Sequence, residues 1–150
     1  MRFELRLAST TEEALGLCVE KKIWAGRKKL SRNWKSGQFL LVRVDSRIAA
    51  LGFVQGELAE SQSQLFSDKF PLTVPVEWLW VAERPLDRPQ FSEWIKSELC
   101  EAWGEHYGFK LLNQSIIPHQ QAKRILSKFE QQAGFSLNEL LNSRLSLRKD

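Results

Sequence analysis

The sequence predicts an α+β domain built on a curved antiparallel sheet or small barrel with flanking helices. Three observations lead there. The elements run strand, helix, strand, strand, strand, helix, then further helices, without the repeated strand–helix alternation of a doubly wound parallel fold. Gly52 and Gly56 interrupt an otherwise β-prone run, which marks bulges or a barrel-like bend. At 150 residues the chain fits one domain, spanning 1–150, with enough length to bury a core unaided by disulfides or metal.

Arg2-Phe3-Glu4-Leu5-Arg6-Leu7 alternates and reads as a half-buried first strand with Phe3, Leu5 and Leu7 facing one way. Ser9, Thr10 and Thr11 then offer caps for a helix from about Glu12 to Lys21, with Ala14, Leu15, Cys18 and Val19 as its inner stripe. Gln38–Val44 and Arg47–Glu57 are apolar and β-prone, and Asp45-Ser46 between them signals a turn, so the pair forms a hairpin. Leu58–Lys69 is polar and reads as a loop.

Pro71–Glu83 (PLTVPVEWLWVAE) is strongly β-prone, with Pro75 placing its early part at an edge or bulge. Thr73, Val74 and Val76 followed by Trp78, Trp80 and Ala82 give an alternating face of small and large residues. After Pro85 and Pro89 comes an amphipathic helix, Gln90–Trp103, with Phe91, Trp94, Ile95, Leu99 and Trp103 inward. A short strand or turn over Lys110–Ile117 leads to a helix from Pro118 to Gln132, Pro118 suiting a first helical turn. A last helix, Leu137–Leu147, packs loosely, and the tail 146–150 frays.

Composition excludes several classes. Apolar residues are 43% and charged residues 27%, ordinary for a globular protein, and no apolar run reaches the roughly 18 residues of a membrane span. The opening MRFELRLAS reads as a strand rather than a signal peptide, which makes the cytoplasm the expected compartment and leaves the membrane out as a partner. Cys18 and Cys100 stand far apart and outside any C-x-x-C spacing, so both read as buried free thiols. Six Trp against one Tyr is the compositional oddity; most of those rings belong in the core.

The charge is local. Lys21, Lys22, Arg27, Lys28, Lys29, Arg32 and Lys35 fall within fifteen residues that contain no acid, KKIWAGRKKLSRNWK. Of the 22 basic residues, 15 remain outside that segment against 18 acids, so the rest of the molecule is about −3 while the whole is +4. Trp24 and Trp34 lie inside the run, and cations beside aromatic faces suit a ligand with phosphates and bases. A basic run also fits a solvated loop, or a helix face whose Lys stems lie over apolar surface.

Signals for chemistry are missing. His106 and His119 have no partner at metal-ligand spacing, and there is no G-x-S-x-G, G-x-x-x-x-G-K-[ST] or G-x-G-x-x-G. Glu57, Glu60 and Glu77 are carboxylates without a spacing that singles them out. The reading is therefore a binding module with no catalytic residue, no metal and no cofactor.

Ile23-Trp24-x-Gly26 with its basic stretch and Asn33, then Trp34-Lys35-Ser36-Gly37-Gln38 entering a strand, then Gly52-Phe53-Val54, then Phe70-Pro71-Leu72, resembles the EVE domain. The resemblance runs from about Val19 to Phe129. Gly26 comes one residue later than in the family's opening motif, and Gln38 stands where the family's turn usually carries Asp. EVE domains belong to the PUA-like superfamily and are similar in fold to the YTH readers of methylated adenine in RNA.

The resemblance implies a PUA-like bent antiparallel β-barrel with flanking helices, and a pocket that takes a flipped, often modified base between aromatic side chains. The partner it implies is a nucleic acid, RNA or DNA. On that reading Arg27, Lys28, Lys29, Arg32 and Lys35 meet phosphates, and Trp24, with Trp34 or Phe66 nearby, stacks on a base. Asn33 bonds a base edge, or is simply a turn residue. The related readers carry a second cage aromatic in the segment before the Phe-Pro strand, where this chain has only Leu65 and Phe66.

An acyltransferase of the GNAT type is the alternative. Phe39–Val54 resembles the hairpin of those enzymes and Ala133-Gly134-Phe135 their closing segment. Their acyl-CoA pyrophosphate loop, [RQ]-x-x-G-x-[GA], would fall at Arg84–Pro89, which has no glycine and two prolines. A protein-interaction module using the last helix is a third reading.

Overall fold

The computed structural model describes residues 4–25, 34–57, 59–60, 72–90 and 93–148. β1 (Glu4–Thr10) leads into α1 (Glu12–Lys21), where the Thr11 hydroxyl accepts a hydrogen bond from the Ala14 amide at 3.2 Å. Lys22 closes the helix in the left-handed conformation (φ 58°) and hands the chain to β2 (Ile23–Trp24). β3 (Gln38–Val44) and β4 (Arg47–Val54) form the predicted hairpin, with Asp45 taking the positive φ of its turn. β5 (Ala59–Glu60) and β6 (Leu72–Val81) complete a curled half-barrel sheet in the order β1-β3-β4-β6-β2, with β5 also paired to β6.

The sheet is mixed, not wholly antiparallel. β1 pairs β3 in parallel from Glu4↔Gln38 to Thr10↔Val44. α1 lies in the crossover between them, the kind of connection that parallel neighbours require. All other strand pairings among the described residues are antiparallel.

The predicted irregularity at Gly52 is a bulge. Leu51 pairs Trp80 while Gly52 pairs Trp78, so Leu79 is the extra residue on β6. A Cβ at Gly52 would fall 2.5 Å from Val76 Cγ1, and one at Gly56 2.8 Å from Pro75 Cγ, so β6 side chains pack directly onto the glycine backbone and leave no room for a side chain there. The bulge reverses the alternation expected of β6. Trp78 stays on the α1 side, its Nε1 donating to the Cys18 carbonyl at 3.1 Å, whereas Leu79 and Trp80 both join the opposite side. Pro75 sits where the β4 ladder ends, with its carbonyl accepting from the Gln55 amide, so its missing N–H interrupts nothing.

A 3-10 turn at Pro85–Asp87 precedes α2 (Glu93–Trp103), α3 (Gly108–Leu112), α4 (His119–Ala133) and α5 (Leu137–Arg148). α3 replaces the strand or turn expected over Lys110–Ile117; only Ile117 is extended, bridging Leu5 through its amide at 2.8 Å. Ala122, Ile125, Leu126 and Phe129 of α4 recur at helical spacing and are all buried against β1 and α2. Gly134 ends the helix at φ 77°.

Two cores therefore flank one sheet. Leu5, Leu7, Leu41, Ile48, Leu51 and Leu79 meet α2, α4 and Leu137 of α5 on one face, where Trp80, Phe129 and Phe135 form an aromatic group with centroids 5.1 to 6.2 Å apart. The other face packs Leu40, Val42, Ala50, Val76 and Trp78 against Leu15 and Cys18 of α1, together with Trp24 and Trp34. Of the two thiols expected inside, Cys18 is buried and burial raises its pKa; Cys100, on the outer side of α2, is exposed.

Candidate nucleic-acid interface

The two indoles of the basic segment belong to one core, on one face of the sheet. Trp24 closes β2 and Trp34 precedes β3; both belong to the α1-side core, with 0% and 2% of their surface exposed. Arg27, Lys28, Lys29, Arg32, Asn33 and Phe66 lie outside the described residues. Lys35 is on the surface at 63% side-chain exposure, with its Nζ 3.9 Å from Glu4 Oε1.

What organises the indoles is a residue the sequence pattern assigns to solvent. Leu5 and Leu7 point to the helical core, as expected, but Arg6 between them is only 1% exposed. Its guanidinium lies over the Trp34 ring, 4.4 Å from the centroid, a cation–π arrangement. Arg6 Nε donates to Gln38 Oε1 at 3.0 Å and Nη1 donates to the Gln114 carbonyl at 2.7 Å. Burial brings its pKa down to about 10, so it stays charged at neutral pH.

Gln38 and Gln114 tie the group together. Besides accepting from Arg6, Gln38 Oε1 accepts from the Lys35 amide at 3.3 Å, while Gln38 Nε2 donates to Glu4 Oε2 at 2.9 Å. A carboxylate at that position could accept but not donate, so the amide is what lets residue 38 bond Arg6 and Glu4 at once. Gln114 holds a left-handed backbone (φ 54°), presents its carbonyl to Arg6, and accepts from Trp24 Nε1 through its side chain at 3.0 Å. Trp34 Nε1 is buried and has no hydrogen-bond partner among the described residues.

Glu4, Arg6, Gln38 and Gln114 were not legible as site residues. Charged residues at the polar positions of a half-buried strand look solvated, and nothing in the sequence near Gln114 points across to residue 6. A helical groove of about 930 Å³ between α2 and α4, lined by Trp94, Glu98, His119, Lys123, Arg124 and Lys128, is separate from this cluster; its Arg124 is taken up by Glu98 and Glu101 at 2.6 and 2.9 Å.

At Arg84–Pro89 the backbone is closed on itself. The Asp87 and Arg88 amides donate to the Arg84 and Pro85 carbonyls, and two further positions are proline. Arg84 is paired with Asp87, and Arg88 with Glu12 of α1. No cradle of free amides for a pyrophosphate exists there.

No protein-family model matches the chain, and no curated protein resembles it in sequence. Solved structures do resemble it in shape. The YTH domain of Zygosaccharomyces rouxii MRB1, in complex with N6-methyladenosine RNA, superposes with a TM-score of 0.56 at 14% identity, covering 85% of this chain and 87% of that one. The Mmi1 YTH domain gives 0.60 at 11% identity over 86% and 76%. The YTH domain of Toxoplasma CPSF4, without ligand, gives 0.58 at 9% identity over 87% of each. The fold is that of the YTH domains. On this YTH-type fold the Trp24, Trp34 and Arg6 cluster occupies the sheet face opposite α2 and α4.

Proposed function

We propose that the chain is a non-catalytic, single-domain nucleic-acid reader of the PUA-like, EVE type, acting in the cytoplasm on RNA or DNA. The observation that carries this reading is the placement of two indoles within a seven-cation segment, on a fold shared with a YTH domain solved with RNA bound. Arg27, Lys28, Lys29, Arg32 and Lys35 supply phosphate contacts, Asn33 a base-edge contact, and Trp24, Trp34 or Phe66 the stacking surface. Base stacking on an aromatic ring is worth about 1–3 kcal/mol. Because Trp24 and Trp34 are covered, a base reaches them only by displacing what lies over them, so binding should change tryptophan emission. The closed, proline-bearing turn at Arg84–Pro89 disfavours the acyltransferase alternative.

The test is fluorescence anisotropy with matched single-stranded RNA and DNA over a series of salt concentrations. Each lost phosphate contact should flatten the log–log salt slope by about 0.7, so Lys28→Ala/Lys29→Ala should lower it by roughly 1.4 and weaken all sequences alike. An unchanged affinity and slope in that variant overturns the electrostatic half of the proposal. Quenching by acetyl-CoA, with none by any oligonucleotide, overturns the whole of it.

A further inference from the structure

Resting on the reading of the chain as a nucleic-acid reader, we propose that the groove between α2 and α4 is a second site of contact with a single strand, one that holds its phosphates whatever the bases. The groove lies on the helical side of the sheet, across from Trp24 and Trp34, and encloses about 930 Å³. Its electrostatics are the first observation. Outside residues 21–35 the molecule is about −3, yet the outer face of α4 carries Lys123, Arg124 and Lys128. The exposed positions 123, 124, 127, 128 and 131 share one face at helical spacing, while Ala122, Ile125, Leu126 and Phe129 fill the core. Glu130, the acid of that helix, is engaged elsewhere, its Oε2 accepting from the Leu137 amide at 3.2 Å. Glu98 and Glu101 hold Arg124 at the groove wall, whereas Lys123 and Lys128 form no ion pair among the described residues. Two unneutralised ammonium groups beside a fixed guanidinium attract a polyanion and displace its counterions.

The second observation is the rest of the lining. Ser97, Gln120, Ser127 and Gln131 offer uncharged donors, of the kind that bond phosphate oxygens without reading sequence. Trp94 is the one apolar side chain among the described residues that line the groove, so there is no row of aliphatic pockets for the apolar face of a partner helix. A single flat indole among cations suits a base beside its phosphate instead. Trp94 is half-buried, unlike the fully covered Trp24 and Trp34, so its ring can be met without opening a core. Its Nε1 has no partner among the described residues, so Trp94→Phe gives up no hydrogen bond there.

The experiment titrates a fluorescent single-stranded RNA and its DNA counterpart across a salt series. It compares the wild type with Lys123→Ala/Lys128→Ala, and with Lys96→Ala/Lys110→Ala as a pair of lysines outside the groove. Lys123→Ala/Lys128→Ala should weaken binding about tenfold at low salt and flatten the log–log slope by roughly 1.4, equally for every sequence. Lys96→Ala/Lys110→Ala should leave both unchanged, and Trp94→Phe should lose part of the tryptophan quench at saturation. An unaltered slope in Lys123→Ala/Lys128→Ala, an equal loss in the outside pair, or a full quench in Trp94→Phe each overturns this site. The parent reading stands in those cases if Lys28→Ala/Lys29→Ala still flattens the slope. Preference of the wild type for a polyglutamate peptide over either oligonucleotide, abolished in Lys123→Ala/Lys128→Ala, gives the groove to an acidic protein partner and overturns the inference. Absence of wild-type binding to both oligonucleotides overturns the parent reading as well.

Discussion

Gln114 serves Arg6 through its backbone carbonyl and Trp24 through its side chain, and the two bonds can be separated. Gln114→Gly keeps the positive φ and the carbonyl that Arg6 needs but deletes the acceptor of Trp24 Nε1. An unpaired buried indole N–H costs about 1–3 kcal/mol, which a urea denaturation midpoint would report as a matching loss of stability. Gly52→Ala should cost a similar amount, about 1–3 kcal/mol, because its methyl must push into Val76 and the Trp78 ring. Trp24→Ala, by contrast, is a folding mutation: the ring is fully buried, and its loss costs about 3–5 kcal/mol before any ligand is added. Trp24→Phe is the variant that speaks to binding. These residue roles were only half legible. The indoles stood out by their rarity and their basic setting, whereas Arg6 carried no mark, because a strand's outward positions and its second buried face show the same polar residues until a second layer is known to cover them.

Elements with a strong period were readable and those set by long-range pairing were not. α1 begins and ends where its capping hydroxyl and inner stripe place it, and the β3–β4 hairpin turns at Asp45-Ser46. The Leu79 bulge could not be read from alternation, because alternation is what it breaks, and α3 is too short for a helical period to show. α4 is the element on which the helical side depends. Phe129→Ala should cost about 3–5 kcal/mol in a urea titration, since it empties a position packed by Trp80 and Phe135. α1 is fastened at its first turn to the 3-10 turn by Arg88, whose Nη1 donates to Glu12 Oε2 at 2.7 Å. That hydrogen bond holds the Glu12 carboxyl below the ordinary carboxylate range. A depressed carboxyl stabilises the fold above its unfolded pKa of about 4.3, and the contribution disappears as pH falls through the folded value. Glu12 is largely exposed, so Glu12→Gln should cost no more than about 1 kcal/mol at pH 7 and nothing once the carboxyl is protonated, as stability measured from pH 7 to pH 3 would show.

At the scale of the whole molecule, the first strand is completed by the last third of the chain. β1 pairs β3, Leu5 accepts from the Ile117 amide, and Arg6 reaches across 108 residues of sequence to the Gln114 carbonyl. A chain ending at residue 112 keeps every described strand yet lacks the acceptors of Arg6 Nη1 and of Trp24 Nε1 and all of α4, and it should show no cooperative thermal transition and rapid limited proteolysis. The α+β class was legible because it depends on element order, and the parallel β1–β3 pair was not, because it depends on which edge an N-terminal strand finds. The Arg6–Gln114 bond also orders events in time. During synthesis Gln38 can take up Arg6 Nε early, but the acceptors of Arg6 Nη1 and Trp24 Nε1 do not exist until residue 114 arrives, so the α1-side core has to wait for them. Nascent chains of increasing length, probed by protease, should therefore gain protection of the indole face in one step once residue 114 has emerged, ahead of the helical face, which waits for α4 and α5.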